Sequence, residues 1–246
     1  MQLPTRVLCL VTALDPGDDP GPLLTSVRAA VRGGVNVVQV RAPELERTAF
    51  FNLAASVVET VDGEALILIN NRVDVALAVD AGGVQLGGRG PAVTAARRVG
   101  GPEWLIGRSV HSAEGALRAQ KDGADFLLLG TLYATSSHPG VAGAGPGLVS
   151  EVAEQVRIPI IGIGGIDAER ASEVVSAGAR GVAVIGAILR AGDPERAAAD
   201  LRAAIEEGEP DRTADRKREP GRRETVTPEP GIERPGTDAR GPRTEA

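Results

Sequence analysis

Only two histidines occur among the 246 residues of this chain, His111 and His138. Each follows a short apolar run that is typical of a β-strand, His111 in IGRSVHS and His138 in GTLYATSSHPG. The imidazole ring exchanges protons near neutral pH, which suits it to general acid/base catalysis. The two positions indicate one loop-bearing face of the fold as the place for chemistry. A hydrogen-bonded structural role for His111 is an equal alternative at this point.

Glycine-rich turns follow two later apolar runs, in PIIGIGGID and GVAVIGAIL. Glycine lets the backbone approach a ligand closely, and free amide groups at such turns bind phosphate without a basic side chain. Either turn alone could simply ease a tight connection, but the pair favours a phosphate site. The predicted phosphate-binding residues are Gly164, Gly165, Ile185 and Gly186.

Polar side chains also close the predicted second strand, VNVVQVR. Strand alternation puts Val37, Gln39 and Arg41 on one face, which brings Gln39 and Arg41 to the rim if that face points inward. An arginine there can bind a carboxylate or phosphate through two parallel hydrogen bonds, although a structural ion pair with Glu44 is the alternative. Further candidate binding residues lie at strand ends and in the loop after the sixth strand: Asn70, Ser109, Thr135, Ser136, Ser137 and His138.

The elements that must position these residues alternate regularly along the chain. Eight short β-branched runs, from RVLCLVT to GVAVIG, are each followed by a helical stretch. This alternation predicts an α/β fold, a single (β/α)8 TIM barrel, in which chemistry lies beyond the carboxyl ends of the strands. A doubly wound open sheet is the alternative, weakened by the lack of GxGxxG after the first strand.

Composition divides the chain into two parts and excludes several functions. Residues 1–207 are expected to form the barrel, and residues 208–246, rich in Pro, Gly, Arg and Glu, to form a disordered tail. A net charge of -6 and 2% aromatic residues argue against nucleic-acid binding. The absence of a signal or membrane segment and a single cysteine, Cys9 in VLCLV, predict a cytoplasmic protein without disulfides.

The residues themselves support neither Schiff-base catalysis nor a metal site. The only lysines are Lys121, on a predicted helix, and Lys217, in the tail, so Schiff-base chemistry has no strand-borne candidate. The two histidines stand on separate loops with no obvious carboxylate beside either, so no metal site is predicted.

In combination, several segments resemble the superfamily of thiamine-phosphate synthases and thiazole tautomerases. They are VQVR, INNRVDVALAVDAGGVQLG, IGRSVHSAEGAL, GTLYATSSHPG, IPIIGIGGI and GVAVIGAI. The resemblance covers the whole predicted barrel and leaves out the tail. It implies a (β/α)8 barrel that binds a small-molecule thiazole phosphate, and it suggests a homodimer.

The synthases of this superfamily join a pyrimidine diphosphate to the thiazole phosphate and need Mg²⁺. They resemble this chain at Gln39, Arg41, Asn70, Ser109 and Thr135–Ser137. The chain departs from them at four positions. Two diphosphate-binding lysines are replaced by Pro43 and His138, and two metal-binding carboxylates by Asn71 and Gly90. Neutral or missing ligands hold a strongly hydrated cation poorly.

These departures favour the tautomerase branch. The segment GRSVHS closely resembles a motif of that branch, in which the histidine serves as acid/base. The expected activity is that of an isomerase without metal or cofactor, which aromatises the carboxythiazole phosphate tautomer with His111 as general acid/base and Arg41 on the carboxylate. The first alternative is a Mg²⁺-dependent thiamine-phosphate synthase with a degenerate metal site. The second is a non-catalytic regulatory paralogue that binds thiazole phosphate or thiamine phosphate.

Overall fold

Eight short, almost wholly buried segments form the parallel strands of a closed barrel. A computed structural model describes residues 2–135, 140 and 142–208. The strands are β1 (Val7–Val11), β2 (Val37–Val40), β3 (Leu66–Asn70), β4 (Gly83–Leu86), β5 (Leu105–Val110), β6 (Phe126–Leu129), β7 (Ile160–Ile163) and β8 (Gly181–Val184).

Helices follow every strand and surround the barrel. They are α1 (Pro20–Arg32), α2 (Arg47–Val61), α3 (Val73–Ala78), α4 (Val93–Gly100), α5 (Ala113–Lys121), α6 (Gly147–Gln155), α7 (Ala168–Ser176), α8 (Gly186–Leu189) and α9 (Pro194–Glu207). The sequence did not predict α8, because four residues directly after a strand are too short to show a helical period.

The first and last strands close the sheet. β1 pairs in parallel with β2 on one side and with β8 on the other, where Val7 stands opposite Gly181. The predicted TIM barrel is therefore confirmed, and the open doubly wound sheet is wrong. Because all eight strands run the same way, their carboxyl ends meet at one rim.

Two separate apolar clusters lie on the two faces of the strands. One fills the barrel interior and includes Val37, while the other joins the strands to the helices and includes Val38 and Val40. Strand alternation thus sends successive residues of β2 to opposite faces. Cys9 belongs to the interior cluster, where burial raises the pKa of its thiol to about 12, so the thiol stays protonated and unreactive.

The last helix of the barrel, α9, ends at Glu207. Gly208 follows α9, and its carbonyl oxygen accepts a hydrogen bond from Arg6 Nη2 at 2.9 Å. The rest of the predicted tail, residues 209–246, lies outside the described residues. Within the part of the chain that the structure describes, every helix is too short or too polar to cross a membrane.

Candidate active site

A cavity of about 580 Å³ opens at the rim formed by the carboxyl ends of the strands. That volume falls in the range of small-molecule sites. The structure brings together five residues singled out from the sequence, and all of them line this cavity: Gln39, Arg41, Asn70, Ser109 and His111.

Two buried amide side chains fix the polar groups at the cavity floor. Gln39 Nε2 donates to Asn70 Oδ1 at 3.2 Å, and Gln85 Nε2 donates to Ser109 Oγ at 3.0 Å. Both glutamines are at most 3% exposed, so each needs its partner and each partner is held in place. The sequence interpretation missed Gln85, although a glutamine in the middle of a buried strand is itself a signal.

Thr12 holds the backbone of Arg41. Its fully buried hydroxyl donates to the Arg41 carbonyl oxygen at 2.9 Å and accepts from the Arg41 amide at 2.8 Å. The Thr12 amide donates in turn to the Gln39 carbonyl at 3.0 Å. These bonds continue the contact between β1 and β2 past the strand ends and hold the backbone from which the Arg41 side chain extends. Thr12 was not predicted, although it directly follows a strand.

The guanidinium of Arg41 is free to meet a ligand. Among the described residues, no carboxylate lies within 4.0 Å of its nitrogens, and the ion pairs that are present involve other arginines. The alternative of a structural pair with Glu44 is therefore wrong. An unpaired cation at a cavity wall is suited to an anionic substrate.

His111 directly follows β5 and is held through one ring nitrogen. Its Nδ1 contacts the carbonyl oxygen of Gly130. A carbonyl can only accept, so Nδ1 carries a hydrogen and Nε2 is the nitrogen left to face the cavity.

A second cavity, of about 270 Å³, adjoins the first and shares Ile163 and Ile185 with it. Both predicted glycine turns line it. Gly164 and Gly165 have φ values of 107° and 64°, which favour glycine. Their carbonyl oxygens accept hydrogen bonds from the Tyr133 amide at 2.9 Å and Arg170 Nη1 at 2.7 Å.

The amides of these turns are the groups left for a ligand. The amide groups of Gly164, Gly165 and Gly186 donate to no other described residue. Gly186 lies against the guanidinium of Arg190, which also lines this cavity and is without an ion pair in the described part of the chain. Free amides beside one cation form a phosphate-sized cradle.

Arg170 holds the turn that contains Gly165 through several contacts. Besides donating to Gly165, its guanidinium lies 4.8 Å from the centre of the Tyr133 ring and 3.6 Å from the Asp167 carboxylate. Asp167 also lines the cavity, but its carboxylate accepts from the Arg170 amide at 3.0 Å as the cap of α7. The Tyr133 hydroxyl donates to Glu173 Oε2 at 2.7 Å.

The titration of Tyr133 can be used to test these contacts, because Tyr133 is the only tyrosine of the chain. Desolvation, together with its hydrogen bond to the Glu173 carboxylate, raises the pKa of Tyr133 to about 12. We expect the phenolate absorbance to titrate near 12 rather than near the ordinary value of about 10. Glu173→Gln should lower that midpoint because it removes the negative charge of Glu173 beside the hydroxyl.

The matched control is Glu169→Gln, which removes an exposed charge from the same helix and should leave the midpoint unchanged. A wild-type midpoint close to 10 at a pH where circular dichroism shows a folded protein would contradict the contact between Tyr133 and Glu173.

The loop between β6 and α6 is anchored against the cradle. Leu132 and Tyr133 donate to the carbonyls of Ile163 and Gly164, which extends the contact between β6 and β7. Thr135, a predicted binding residue, lines the cavity that contains the glycine turns. The other predicted residues of this loop, Ser136, Ser137 and His138, lie outside the described residues.

The donors at the rim do not fit a protein-bound Mg²⁺. Mg²⁺ prefers carboxylate and other oxygen ligands in octahedral geometry. The described residues contain no cluster of three or more His, Cys, Asp or Glu side chains able to hold a metal, and the described lining of the central cavity has no carboxylate. Asn71 Oδ1 accepts from the Gly87 amide at 2.8 Å, and a Cβ on Gly90 would overlap that same oxygen.

A sequence model of the thiamine monophosphate synthase family matches residues 8–188. The chain belongs to this family. A thiamine-phosphate synthase of Chlorobium luteolum is 40% identical over 201 residues, which cover 81% of this chain and 92% of the relative. One of Haloquadratum walsbyi is 41% identical over 73% of this chain and 82% of its own length. The solved thiamine phosphate pyrophosphorylase of Pyrococcus furiosus is 35% identical, with a TM-score of 0.73 over 82% of this chain and 96% of that one.

These members of the thiamine monophosphate synthase family overturn the expected tautomerase. Curated relatives at about 40% identity carry the name of the synthase, so the isomerase assignment is wrong and the synthase alternative gains support. The four substituted positions indicate the branch less well than the similarity over the rest of the barrel does. Loss of metal ligands changes how charge is neutralised, but it does not by itself change the reaction.

Proposed function

We propose that this protein is a transferase of the thiamine-phosphate synthase type, which joins a hydroxymethylpyrimidine diphosphate to a thiazole phosphate. The observation that carries the proposal is the pair of adjoining cavities at one rim. The smaller has the size for a phosphate monoester and amides that donate to no other described residue. The larger is lined by Arg41 and Arg89, which have no ion pair among the described residues. A reaction between one phosphorylated and one diphosphorylated substrate needs such a pair.

The two substrates are assigned to the cavities by charge and shape. The cradle formed by Gly164, Gly165, Ile185 and Gly186 holds the phosphate of the thiazole, with Thr135 beside it. The central cavity holds the pyrimidine diphosphate, whose anionic end meets Arg41. Gln39, Asn70 and Ser109 offer hydrogen-bonding groups at the floor, where the pyrimidine needs directed partners.

The coupling breaks the bond between the pyrimidine methylene carbon and the diphosphate oxygen, and the electron pair leaves with the diphosphate. The thiazole nitrogen then forms the new bond to carbon with its own lone pair. No proton has to be removed from either substrate. His111 is therefore assigned to orientation and hydrogen bonding through Nε2, and not to general acid/base catalysis.

Arg41→Ala provides the test at the level of one residue. We expect thiamine phosphate formation from the two precursors, followed by mass spectrometry in Mg²⁺ buffer, to fall by about two orders of magnitude. A charged, bidentate contact to the leaving group is lost in this variant. The control, Arg28→Ala, removes the same charge from the exposed face of α1 and should keep full activity.

The wild-type protein decides the reaction itself. Formation of thiamine phosphate with release of diphosphate supports the proposed function. Tight binding of thiazole phosphate without any product, with or without Mg²⁺, would contradict it and favour the regulatory paralogue.

A further inference from the structure

Arg89 stands at the place where a metal-dependent synthase would concentrate positive charge. It lies in the turn between β4 and α4, next to Gly90, one of the two positions where the resemblance led us to expect a metal-binding carboxylate. Arg89 lines the central cavity and also a side cavity of about 200 Å³ that contains Asn70 and Asn71. The chain thus has a cation where a carboxylate and its metal are missing.

The turn that carries Arg89 is fixed at its base. The Gly87 amide donates to Asn71 Oδ1 at 2.8 Å, and the Gly87 carbonyl accepts from Arg108 Nη1 at 3.1 Å and from the Gly90 amide at 2.9 Å. Gly90 cannot gain a side chain without displacing Asn71 Oδ1. Asn71 and Gly90 therefore form one unit that holds the turn and presents Arg89 to the cavity.

The charge of Arg89 is available, whereas that of its neighbour Arg72 is not. Arg72 donates two hydrogen bonds to the carboxylate of Asp74, and these bonds lower the pKa of that carboxyl, so the pair stays ionised and mutually neutralised. The guanidinium of Arg89 meets no carboxylate among the described residues, and the same holds for Arg41 across the central cavity. Two guanidinium groups without a carboxylate partner in the described part of the chain therefore line one cavity, and the described lining of that cavity has no carboxylate.

We infer that Arg89, together with Arg41, neutralises the diphosphate of the pyrimidine substrate in place of a protein-bound divalent cation. Guanidinium groups bind phosphate oxygens through two parallel hydrogen bonds and remain charged at any working pH. The inference rests on the proposed function for the identity of the substrate. The arginine site itself can be measured with diphosphate alone.

The experiment is calorimetric titration of the full-length protein with inorganic pyrophosphate, in EDTA and in Mg²⁺. Wild type should bind pyrophosphate in EDTA, and Arg89→Ala should weaken that binding by about tenfold or more. Arg89→Lys should fall between them because it keeps the charge and loses the paired geometry. Arg98→Ala, an exposed arginine on α4 that lines none of the described cavities, is the charge-matched control and should bind as wild type does.

Two outcomes would overturn the inference. Binding that requires Mg²⁺ in the wild type would show that a cation is still needed, and Arg89→Ala with wild-type affinity would remove the residue from the site. Since Arg89 is exposed at the tip of a turn, the variant should fold normally, which circular dichroism checks.

The coupling assay separates this inference from the proposed function. If pyrophosphate binds in EDTA in an Arg89-dependent way but no thiamine phosphate forms, the proposed function is contradicted and the arginine site for diphosphate is still supported. Product formation that needs Mg²⁺ and does not depend on Arg89 contradicts the inference alone. In an active protein, Arg89→Ala should raise KM for the pyrimidine diphosphate and leave KM for the thiazole phosphate nearly unchanged.

Discussion

Replacing Gly165 with alanine is expected to weaken binding of the thiazole phosphate strongly. Gly165 has a φ of 64°, and a Cβ there would overlap the Ala134 carbonyl oxygen and lie 2.9 Å from that of Tyr133. The left-handed conformation costs alanine about 1–2 kcal/mol, and the overlap with backbone atoms forces the cradle to move. We expect KM for the thiazole phosphate to rise by at least about tenfold, with KM for the pyrimidine diphosphate little changed.

Gly63→Ala separates the two causes. Gly63 has a similar φ of 77°, but nothing lies within 4 Å of the added Cβ. In Gly63→Ala, the left-handed conformation should lower the free energy of unfolding by about as much as it does in Gly165→Ala. Both KM values should stay as in the wild type. If Gly165→Ala kept wild-type kinetics, the phosphate would have to bind elsewhere.

The second large effect is expected from Thr12→Val, which exchanges one hydroxyl for a methyl group of similar size. The amide and carbonyl of Arg41 would both lose their partner in a buried setting. Each unsatisfied group costs about 1–3 kcal/mol, so we expect the free energy of unfolding to fall by about 2–4 kcal/mol. The single tryptophan, Trp104, provides the fluorescence signal for denaturant unfolding.

Activity distinguishes a positioning role for Thr12 from a purely structural one. With Thr12→Val fully folded, the coupling rate should still fall by about tenfold, because the Arg41 side chain is no longer directed at the cavity. Thr12→Ser keeps the hydroxyl and should restore most of that rate. Full activity of folded Thr12→Val would restrict Thr12 to stability.

Much of the site was predictable because a parallel barrel collects its strand ends at one rim. Alternation in VNVVQVR was enough to place Gln39 and Arg41 together at that rim. The glycine turns after β7 and β8 were recognisable from their composition, and the structure puts both on one small cavity. These are local patterns combined with one rule of topology.

The residues that were missed depend on contacts between distant segments. Nothing near Thr12 in the sequence shows that its hydroxyl reaches Arg41 in the next strand, and Gln85 is a site residue only through Ser109. Arg89 could have been found with the rule that selected His111, since both lie just past a strand end. Its neighbour Gly90 carries the more obvious departure from the synthases, the loss of a carboxylate.

Closure of the barrel also constrains how the protein is made. Val7 in β1 has its partner in Gly181 of β8, so one edge of the first strand stays open until almost the whole barrel has left the ribosome. At about 5–20 residues per second, this leaves β1 exposed for on the order of ten seconds. Because this pairing joins the two ends of the barrel sequence, the sheet can close only after β8 has been synthesised, and until then the free edge of β1 is open to aggregation.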